Sequence, residues 1–262
     1  VTPPSYPTEA IAKSFALIDG NKFDKKLVTI DYSHIPLQQI LLPSEAKFNK
    51  IEIETRGSNI GYIMGAGDEV PESLRQMDYN VTILEAEKIT SESLQNFDAV
   101  LVGIRAYNTI DALKYKQKTL LDYVKNGGTM IVQYNTTAKL VTPDMAPYEL
   151  KISSERVTEE TAKVTFTNPK HPVLNFPNKI TEKDFECWIQ EQGLYYPSKW
   201  GKEFETVLSA HDKGETPKES SLLIAKYGKG HYIYTGLSFF RELPEGVPGA
   251  FRLMANLIAI GK

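Results

Sequence analysis

The stretch FDAVLVG at residues 97–103 decides the fold. It is almost continuously apolar and has the length of one strand, which is typical of a strand buried on both faces of a parallel sheet. A second apolar strand follows at 129–132. The segment 110–126 between them places its leucines on one helical face and ends at two glycines. This alternation predicts an α/β domain with a doubly wound, mostly parallel sheet.

The same alternation extends to both sides of this stretch. A turn at 227–230 is expected to join the last two strands as a hairpin. Asp68 is expected to cap the first helix, a role favoured over phosphate binding because a dinucleotide fingerprint would need a third glycine after Gly65 and Gly67. The further predicted strands are 60–64, 81–84, 206–210, 222–226 and 231–235, and the further helices are 68–77, 91–95 and 248–260.

Two regions depart from this pattern. Residues 1–57 are predicted to be an N-terminal β arm or the tail of a preceding domain, with short strands at 27–31 and 51–55. The α/β domain is predicted to cover 58–262 and to carry an irregular insertion at about 140–205, with short strands near 148–152 and 162–166. Because the first residue is Val and a proline-stiffened segment follows it, we expect the chain to begin within a longer protein.

Composition excludes several classes of function. The 262 residues include 30 basic and 33 acidic ones, which are scattered, so we expect no nucleic-acid partner. No apolar stretch reaches the length of a membrane span. The single cysteine, Cys187, cannot form an internal disulfide and is expected to be a buried free thiol. Since the four histidines are isolated from one another, no metal and no cofactor are predicted.

Three stretches resemble class I glutamine amidotransferase-like domains, which have a flavodoxin-like fold. Residues 97–103 resemble the strand that ends in the oxyanion-forming turn of that family. The stretch GGTMIVQYN at 127–135 resembles the strand and nucleophile elbow. The stretch GLSFFRE at 236–242 resembles the segment that supplies the catalytic base and its orienting carboxylate.

The catalytic groups that this resemblance implies are incomplete. Acyl transfer needs a thiol or hydroxyl nucleophile beside a base, but the predicted elbow offers Gln133, Tyr134 and Asn135. The position of the base is taken by Phe240, whose ring cannot accept a proton, although Glu242 stands at the carboxylate position. We therefore expect that the chain is not a glutamine amidotransferase.

A closer resemblance is to ThuA-like domains, specifically to the C-terminal region of large bacterial PIG-L (LmbE-like) proteins, which are predicted sugar de-N-acetylases. It rests on residues 61–70, 123–128, 132–135 and 234–241 and covers most of 25–260. It implies a catalytic domain in the same polypeptide and slightly favours a periplasmic or secreted compartment in bacteria. The chain has no His-Pro-Asp-Asp-like metal motif, so any deacetylation belongs elsewhere in that polypeptide.

Candidate ligand-binding residues cluster at two strand ends and in two later segments. Amide, guanidinium and phenol groups can bind sugar hydroxyls or a carboxylate, and aromatic faces can stack on sugars. At the strand ends, the alternative is that these polar groups only form hydrogen bonds with the loop backbone. In the insertion, the alternative is that the aromatic side chains only pack the insertion onto the sheet. For Arg241 and Glu242, the alternative is a charge pair that holds their loop. The candidates are Arg105, Tyr107, Asn108, Gln133, Tyr134, Asn135, Trp188, Glu191, Arg241 and Glu242.

Three hypotheses of function follow. The first is a non-catalytic accessory domain of a larger sugar de-N-acetylase that binds a carbohydrate-like ligand or packs on the catalytic domain. The second is a sugar hydrolase or isomerase of the ThuA-like type that uses carboxylates such as Glu242, Glu191 or Asp68. The third is a structural docking or oligomerisation module in which the N-terminal arm contacts a neighbour.

Overall fold

A computed structural model describes residues 4–262 of the chain. The chain divides into two compact units, Val1–Glu52 and Ile53–Lys262. Among the described residues, no helix has the length and apolar character needed to cross a membrane.

The first unit consists of six short strands in three separate antiparallel pairs, β1 with β6, β2 with β3 and β4 with β5. Strand β4 confirms the strand predicted at 27–31. The strand predicted at 51–55 is wrong, because the Glu54 backbone bonds to the side-chain amide of Asn178 at 2.9 and 2.8 Å instead of joining a ladder. The strands are β1 Thr8–Lys13, β2 Ala16–Ile18, β3 Asn21–Phe23, β4 Lys25–Ile30, β5 Gln38–Pro43 and β6 Glu45–Lys50.

A seven-stranded sheet forms the centre of the second unit. The strands of this unit are β7 Asn59–Ile63, β8 Asn80–Ile83, β9 Ala99–Val102, β10 Thr129–Gln133, β11 Leu150–Val157, β12 Thr165–Phe166, β13 Gly193–Trp200, β14 Phe204–Thr206, β15 Leu208–Ser209, β16 Leu222–Tyr227 and β17 Gly230–Thr235. The sheet order is β14-β16-β17-β10-β9-β7-β8. The five strands from β17 to β8 are parallel, and β16 and β14 extend the sheet antiparallel. This order confirms the predicted doubly wound sheet.

Helices cover both faces of the sheet, as the continuous apolar strands predict. Val100 and Val102 of β9 pack with Leu120 of α4 in one core cluster, whereas Leu101 is equally buried and points to the opposite face. Helix α6 contacts β10 and is almost wholly buried. The helices are α1 Val70–Gln76, α2 Ser91–Leu94, α3 Ala106–Thr109, α4 Leu113–Lys125, α5 Phe239–Glu242 and α6 Pro248–Ala259, with 3-10 turns at Ala86–Lys88, Pro172–Leu174 and Glu182–Phe185.

Two small strand pairs organise the insertion, β11 with β13 and β12 with β15. The sequence did not predict β13, whose pairing with β11 is broken by three register shifts and which contains Pro197. Cys187 is exposed, which corrects the expectation of a buried thiol. Its backbone is left-handed, with φ of 61°, and the neighbouring Trp188 fills the core position instead.

Candidate functional site

Three parts of the second unit meet at the carboxyl ends of the parallel strands. The backbone N–H of Arg105, after β9, donates to the carbonyl of Tyr134, after β10, at 2.9 Å. The N–H of Leu194 in β13 donates to the carbonyl of Gly236, after β17, at 2.8 Å. The turns after β9 and β10 and the segment after β17 therefore lie side by side with the insertion, where doubly wound sheets bind ligands.

Arg105 lies in a sharp turn between β9 and α3. Its backbone is left-handed, with φ of 56° and ψ of 20°, a conformation that is uncommon for a residue other than glycine. The side chain is exposed, and within residues 4–262 its guanidinium makes no hydrogen bond or ion pair. Arg105 thus connects strand β9 to the short helix α3 through a left-handed residue.

The elbow predicted at Gln133, Tyr134 and Asn135 is wrong. None of these three residues has a left-handed backbone, and no helix follows strand β10 directly, although an elbow needs both. The physical reason is the role of Asn135, which is fully buried. Its Oδ1 accepts the N–H of Tyr107 at 2.9 Å and its Nδ2 donates to the carbonyl of Gln133 at 2.9 Å. The segment after β10 thus supports the turn that carries Arg105.

An aromatic cluster lies beside Arg105. The rings of Tyr134 and Tyr195 are stacked, with centroids 5.7 Å apart and planes 9° apart. The ring of Phe240 packs against that of Tyr134, with centroids 5.2 Å apart. The Arg241 guanidinium lies 4.8 Å from the centre of the Phe240 ring. Burial raises the pKa of the Tyr134 phenol, although the charges of Arg105 and Arg241 lower it. Tyr134 is therefore a neutral hydroxyl at physiological pH.

Arg241 is held by the insertion and not by its neighbour in sequence, Glu242. Its guanidinium forms an ion pair with Glu191 at 3.1 Å and donates to the side-chain carbonyl of Gln190. Glu191 is itself buried. The Nε of Arg241 is buried and has no acceptor among the described residues. This pairing fixes the loop at 190–191 against the segment that follows β17.

Glu242 is fully buried. Its carboxylate accepts the backbone N–H of Ile189 at 3.0 Å and the hydroxyl of Ser238 at 3.1 Å. Burial raises the pKa of Glu242 to about 7, against the lowering effect of these two bonds and of Arg241. With both bonds directed to the protein, the carboxylate is not available to orient a base at the surface.

Several predicted ligand-binding residues bond or pack inside the protein. The hydroxyl of Tyr107 donates to Gln117 Oε1 at 2.6 Å, and the Asn108 amide donates to the carbonyl of Ala138 at 2.7 Å. Trp188 is buried and packs on Phe185 with ring centroids 5.5 Å apart. Of the ten predicted residues, those left around the exposed turn are Arg105, Tyr134, Glu191 and Arg241.

Gln133 belongs to a separate buried relay beneath the first βα turn. Its Nε2 donates to the Tyr62 hydroxyl at 2.9 Å, and that hydroxyl donates to Asp68 at 2.7 Å. Asp68 also accepts the N–H of Val70 at 3.0 Å, so its carboxylate bonds the first residue of α1, but the cap position is Glu69 and not Asp68 as predicted. Burial raises the pKa of Asp68. The polar side chains beneath this turn are thus paired with one another, which accounts for the turn at Gly65–Asp68 without a phosphate site.

Two residues of the site, Gln190 and Tyr195, belong to an aromatic and amide-rich stretch of the sequence but are not among the ten predicted ligand-binding residues. Like Arg105, both have a left-handed backbone, with φ of 63° for Gln190 and 54° for Tyr195. Strained residues of this kind collect at functional sites, because the surrounding structure must hold them in place. The only sequence signal was the concentration of aromatic and amide residues between 188 and 200, within which these two could not be singled out.

Comparisons with known proteins identify the fold. No protein-family model and no curated protein matches the chain. A Thermoplasma acidophilum protein, provisionally assigned as one of the subunits of GMP synthase, matches with a TM-score of 0.51 and 11% identity, covering 79% of this chain and 96% of its own. The chain has a class I glutamine amidotransferase-like fold.

Two further solved structures are similar to this chain. A cytoplasmic protein from Salmonella typhimurium LT2 matches with a TM-score of 0.52 and 13% identity, covering 97% of both chains. A protein from Bacteroides uniformis, provisionally described as ThuA-like, matches with a TM-score of 0.46 and 15% identity, covering 76% of this chain and 88% of its own. The matches to the Thermoplasma and Salmonella proteins, at 11% and 13% identity, bear on the fold and not on an activity.

Proposed function

We propose that this chain is a non-catalytic domain that binds a carbohydrate-like ligand bearing a carboxylate, as an accessory part of a larger sugar de-N-acetylase. The observation that carries the proposal is Arg105. Its exposed guanidinium has no partner within residues 4–262 and is held on a strained turn beside an aromatic stack.

The arrangement of groups argues against acyl-transfer chemistry. The strained turn holds Arg105, which has no nucleophilic atom. The Phe240 ring packs on Tyr134, with centroids 5.2 Å apart, and it has no atom that can accept a proton. The Glu242 carboxylate is occupied by hydrogen bonds from the Ile189 N–H and the Ser238 hydroxyl. Since a nucleophile, a base and an accessible orienting carboxylate are all missing from the turn, binding is the function that the site supports.

The chemistry of the exposed groups selects the ligand. A guanidinium binds a carboxylate through two parallel hydrogen bonds, and it is less hydrated than an ammonium group. The neighbouring Tyr195 ring is partly exposed and is stacked on the buried Tyr134, so it offers an aromatic surface of the kind that contacts the apolar face of a sugar. Because Arg241 is already neutralised by Glu191, Arg105 is the guanidinium of this turn that can bind a carboxylate.

The accessory role rests on the resemblance to the C-terminal region of PIG-L proteins. In such a protein the catalytic domain would contain the metal and the deacetylase chemistry, and this domain would hold an acidic sugar of the same polymer. Among residues 4–262, no group of three or more His, Cys, Asp or Glu is placed to hold a metal ion.

Calorimetric titration with glucuronate and with glucose tests the proposal. We expect glucuronate to bind more tightly, Arg105→Ala to weaken glucuronate binding at least about 10-fold, and Arg105→Lys to retain part of it. Arg75→Ala, which removes an exposed arginine of α1, is the matched control and should bind as the wild type does. Equal binding by Arg105→Ala would contradict the proposal, as would hydrolysis of glutamine or N-acetylglucosamine by the wild-type chain.

A second candidate is a sugar hydrolase or isomerase with Glu242 as general acid. The observation that favours it is the pKa of Glu242, which burial raises to about 7. A general acid with such a pKa can donate a proton at neutral pH. This candidate requires a rearrangement that exposes Glu242, since its side chain is fully buried. If Glu242→Ala leaves every sugar-converting activity of the chain unchanged, this candidate is excluded.

A further inference from the structure

A cavity of about 450 Å³ lies at the amino ends of two parallel strands in the second unit. It is lined by His231 of β17, which pairs with Thr129, the first residue of β10. Arg105, by contrast, follows the carboxyl end of β9. The volume lies within the range of roughly 300–1,000 Å³ that is usual for small-molecule sites. The cavity is therefore large enough for a ligand and separate from the candidate site.

The sheet register gathers the side chains that line this cavity on one face. In the pairing of β16 with β17, Lys226 lies opposite His231. In the pairing of β14 with β16, Glu205 lies opposite Ile224, which is two residues before Lys226. Paired residues, and residues two apart in a strand, point to the same face of a sheet. These four side chains therefore project together from the sheet.

His171 contributes a hydrogen-bond donor to the cavity. Its side chain is only 5% exposed, and its Nδ1 accepts the backbone N–H of Val173 at 3.2 Å. A neutral His171 therefore carries its proton on Nε2. Burial lowers the pKa of His171, against the raising effect of Glu205, so the ring is neutral at physiological pH. Nε2 lies 3.9 Å from the Glu205 carboxylate, which is beyond hydrogen-bond distance, so its proton remains available to a ligand.

His231 is a second neutral imidazole of the cavity. A Cβ at Gly261 would lie 3.0 Å from the His231 Nδ1, so the ring packs against the backbone of that glycine. Burial lowers the pKa of His231, and the charge of Lys226 lowers it further. Within residues 4–262 the ring makes no hydrogen bond. Its N–H is thus also available to a ligand.

Two lysines give the cavity a net positive charge. Lys170 and Lys226 both line it, and among the described residues neither ammonium group forms a hydrogen bond or an ion pair. Of the described lining residues, Glu205 is the acidic one, and its side chain is 60% exposed. Two unpaired ammonium groups and two imidazole N–H donors therefore face one carboxylate, which favours an anionic ligand.

We propose that this cavity binds a small organic phosphate ester, whose phosphate is held by Lys170, Lys226 and the two imidazoles. An ammonium group binds phosphate as a point charge, whereas the planar guanidinium that suits a carboxylate is absent from the described lining residues. The apolar Ile224 and Ile260 line the same cavity, so they can contact the organic part of the ester. The proposal does not depend on the function proposed for Arg105.

Calorimetric titration with ribose 5-phosphate, ribose and inorganic phosphate tests this proposal. All titrations use the full chain with Arg105→Ala, so that the guanidinium at the other end of the strands cannot contribute. We expect saturable binding of ribose 5-phosphate, weaker binding of inorganic phosphate and no binding of ribose. Lys170→Ala and Lys226→Ala should each raise the dissociation constant of the ester at least about 5-fold, since each removes a charged donor. Glu205→Gln should lower it, because it removes a neighbouring negative charge.

The control is Lys114→Ala, which removes an exposed lysine of α4 that does not line the cavity and should leave the dissociation constant unchanged. Lys170 and Lys226 are also exposed, so their replacement should not unfold the chain. The proposal is overturned if ribose 5-phosphate shows no saturable binding up to about 10 mM. It is also overturned if inorganic phosphate binds as tightly as the ester, or if both cavity lysine variants bind the ester as the control does.

Discussion

Replacement of Glu242 by Gln should change how stability depends on pH. The side chain is fully buried, and its two oxygens accept the Ile189 N–H and the Ser238 hydroxyl. Gln keeps the size of the side chain and one carbonyl oxygen but cannot ionise. The variant therefore separates the cost of burying a charge from the effect of the hydrogen bonds.

The magnitude follows from the pKa of Glu242, which burial raises from 4.5 to about 7. Below pH 4.5 the carboxyl is protonated in both the folded and the unfolded chain, so its contribution to stability is fully present. Between pH 4.5 and 7 the unfolded chain loses the proton first, and stability falls. The difference between the two pKa values corresponds to up to about 3 kcal/mol of unfolding free energy, which is lost by pH 8.

Urea denaturation from pH 4.5 to pH 8 measures this difference. We expect Glu242→Gln to match the wild type near pH 4.5 and to exceed its unfolding free energy by about 1–3 kcal/mol at pH 8. The control is Glu245→Gln, an exposed carboxylate nearby, which should keep the wild-type profile. The reasoning is refuted if Glu242→Gln retains the wild-type pH dependence, or if it is the less stable protein at pH 8.

Three further substitutions test the packing of the site and its lack of catalytic groups. Tyr107→Phe removes the donor to Gln117 Oε1 and should lower the unfolding free energy by about 1–3 kcal/mol in urea; no loss would contradict a buried hydrogen bond there. Asn256→Leu leaves the carbonyls of Val173 and Asn178 without a donor and should cost about 3 kcal/mol or more, measured by thermal denaturation. Phe240→His should not produce glutaminase activity, so measurable glutamine turnover would show that a usable nucleophile exists.

The sheet could be predicted from the sequence because its strands are buried on both faces. Continuous apolar runs located β7, β8, β9, β10, β16 and β17 to within two residues. The apolar face of α4 and the terminal glycines likewise fixed that helix to within three residues. These signals are local, since a buried parallel strand and an amphipathic helix each show their environment in their own residue order.

The site could be predicted only in part, because its geometry depends on distant contacts. Candidate residues were predicted at two strand ends, and these ends do lie together, because the backbone N–H of Arg105 bonds to the carbonyl of Tyr134. The left-handed backbone of Arg105 and the burial of Glu242 left no local signal in the sequence. Both depend on partners far along the chain, such as Ile189, which lies 53 residues from Glu242.

The turn at Arg105 is held in place by contacts that do not involve the Arg105 side chain. A Cβ at Gly65 would lie 2.1 Å from the carbonyl oxygen of Ile104, and the Ala66 N–H bonds that same oxygen at 2.9 Å. The turns after β7 and β9 are thus built against each other through backbone atoms. Asn135 supports the same turn from β10. Since none of these contacts involves the side chain at 105, the backbone of the turn does not depend on which residue stands there, and the proposed function assigns the exposed guanidinium to anion binding.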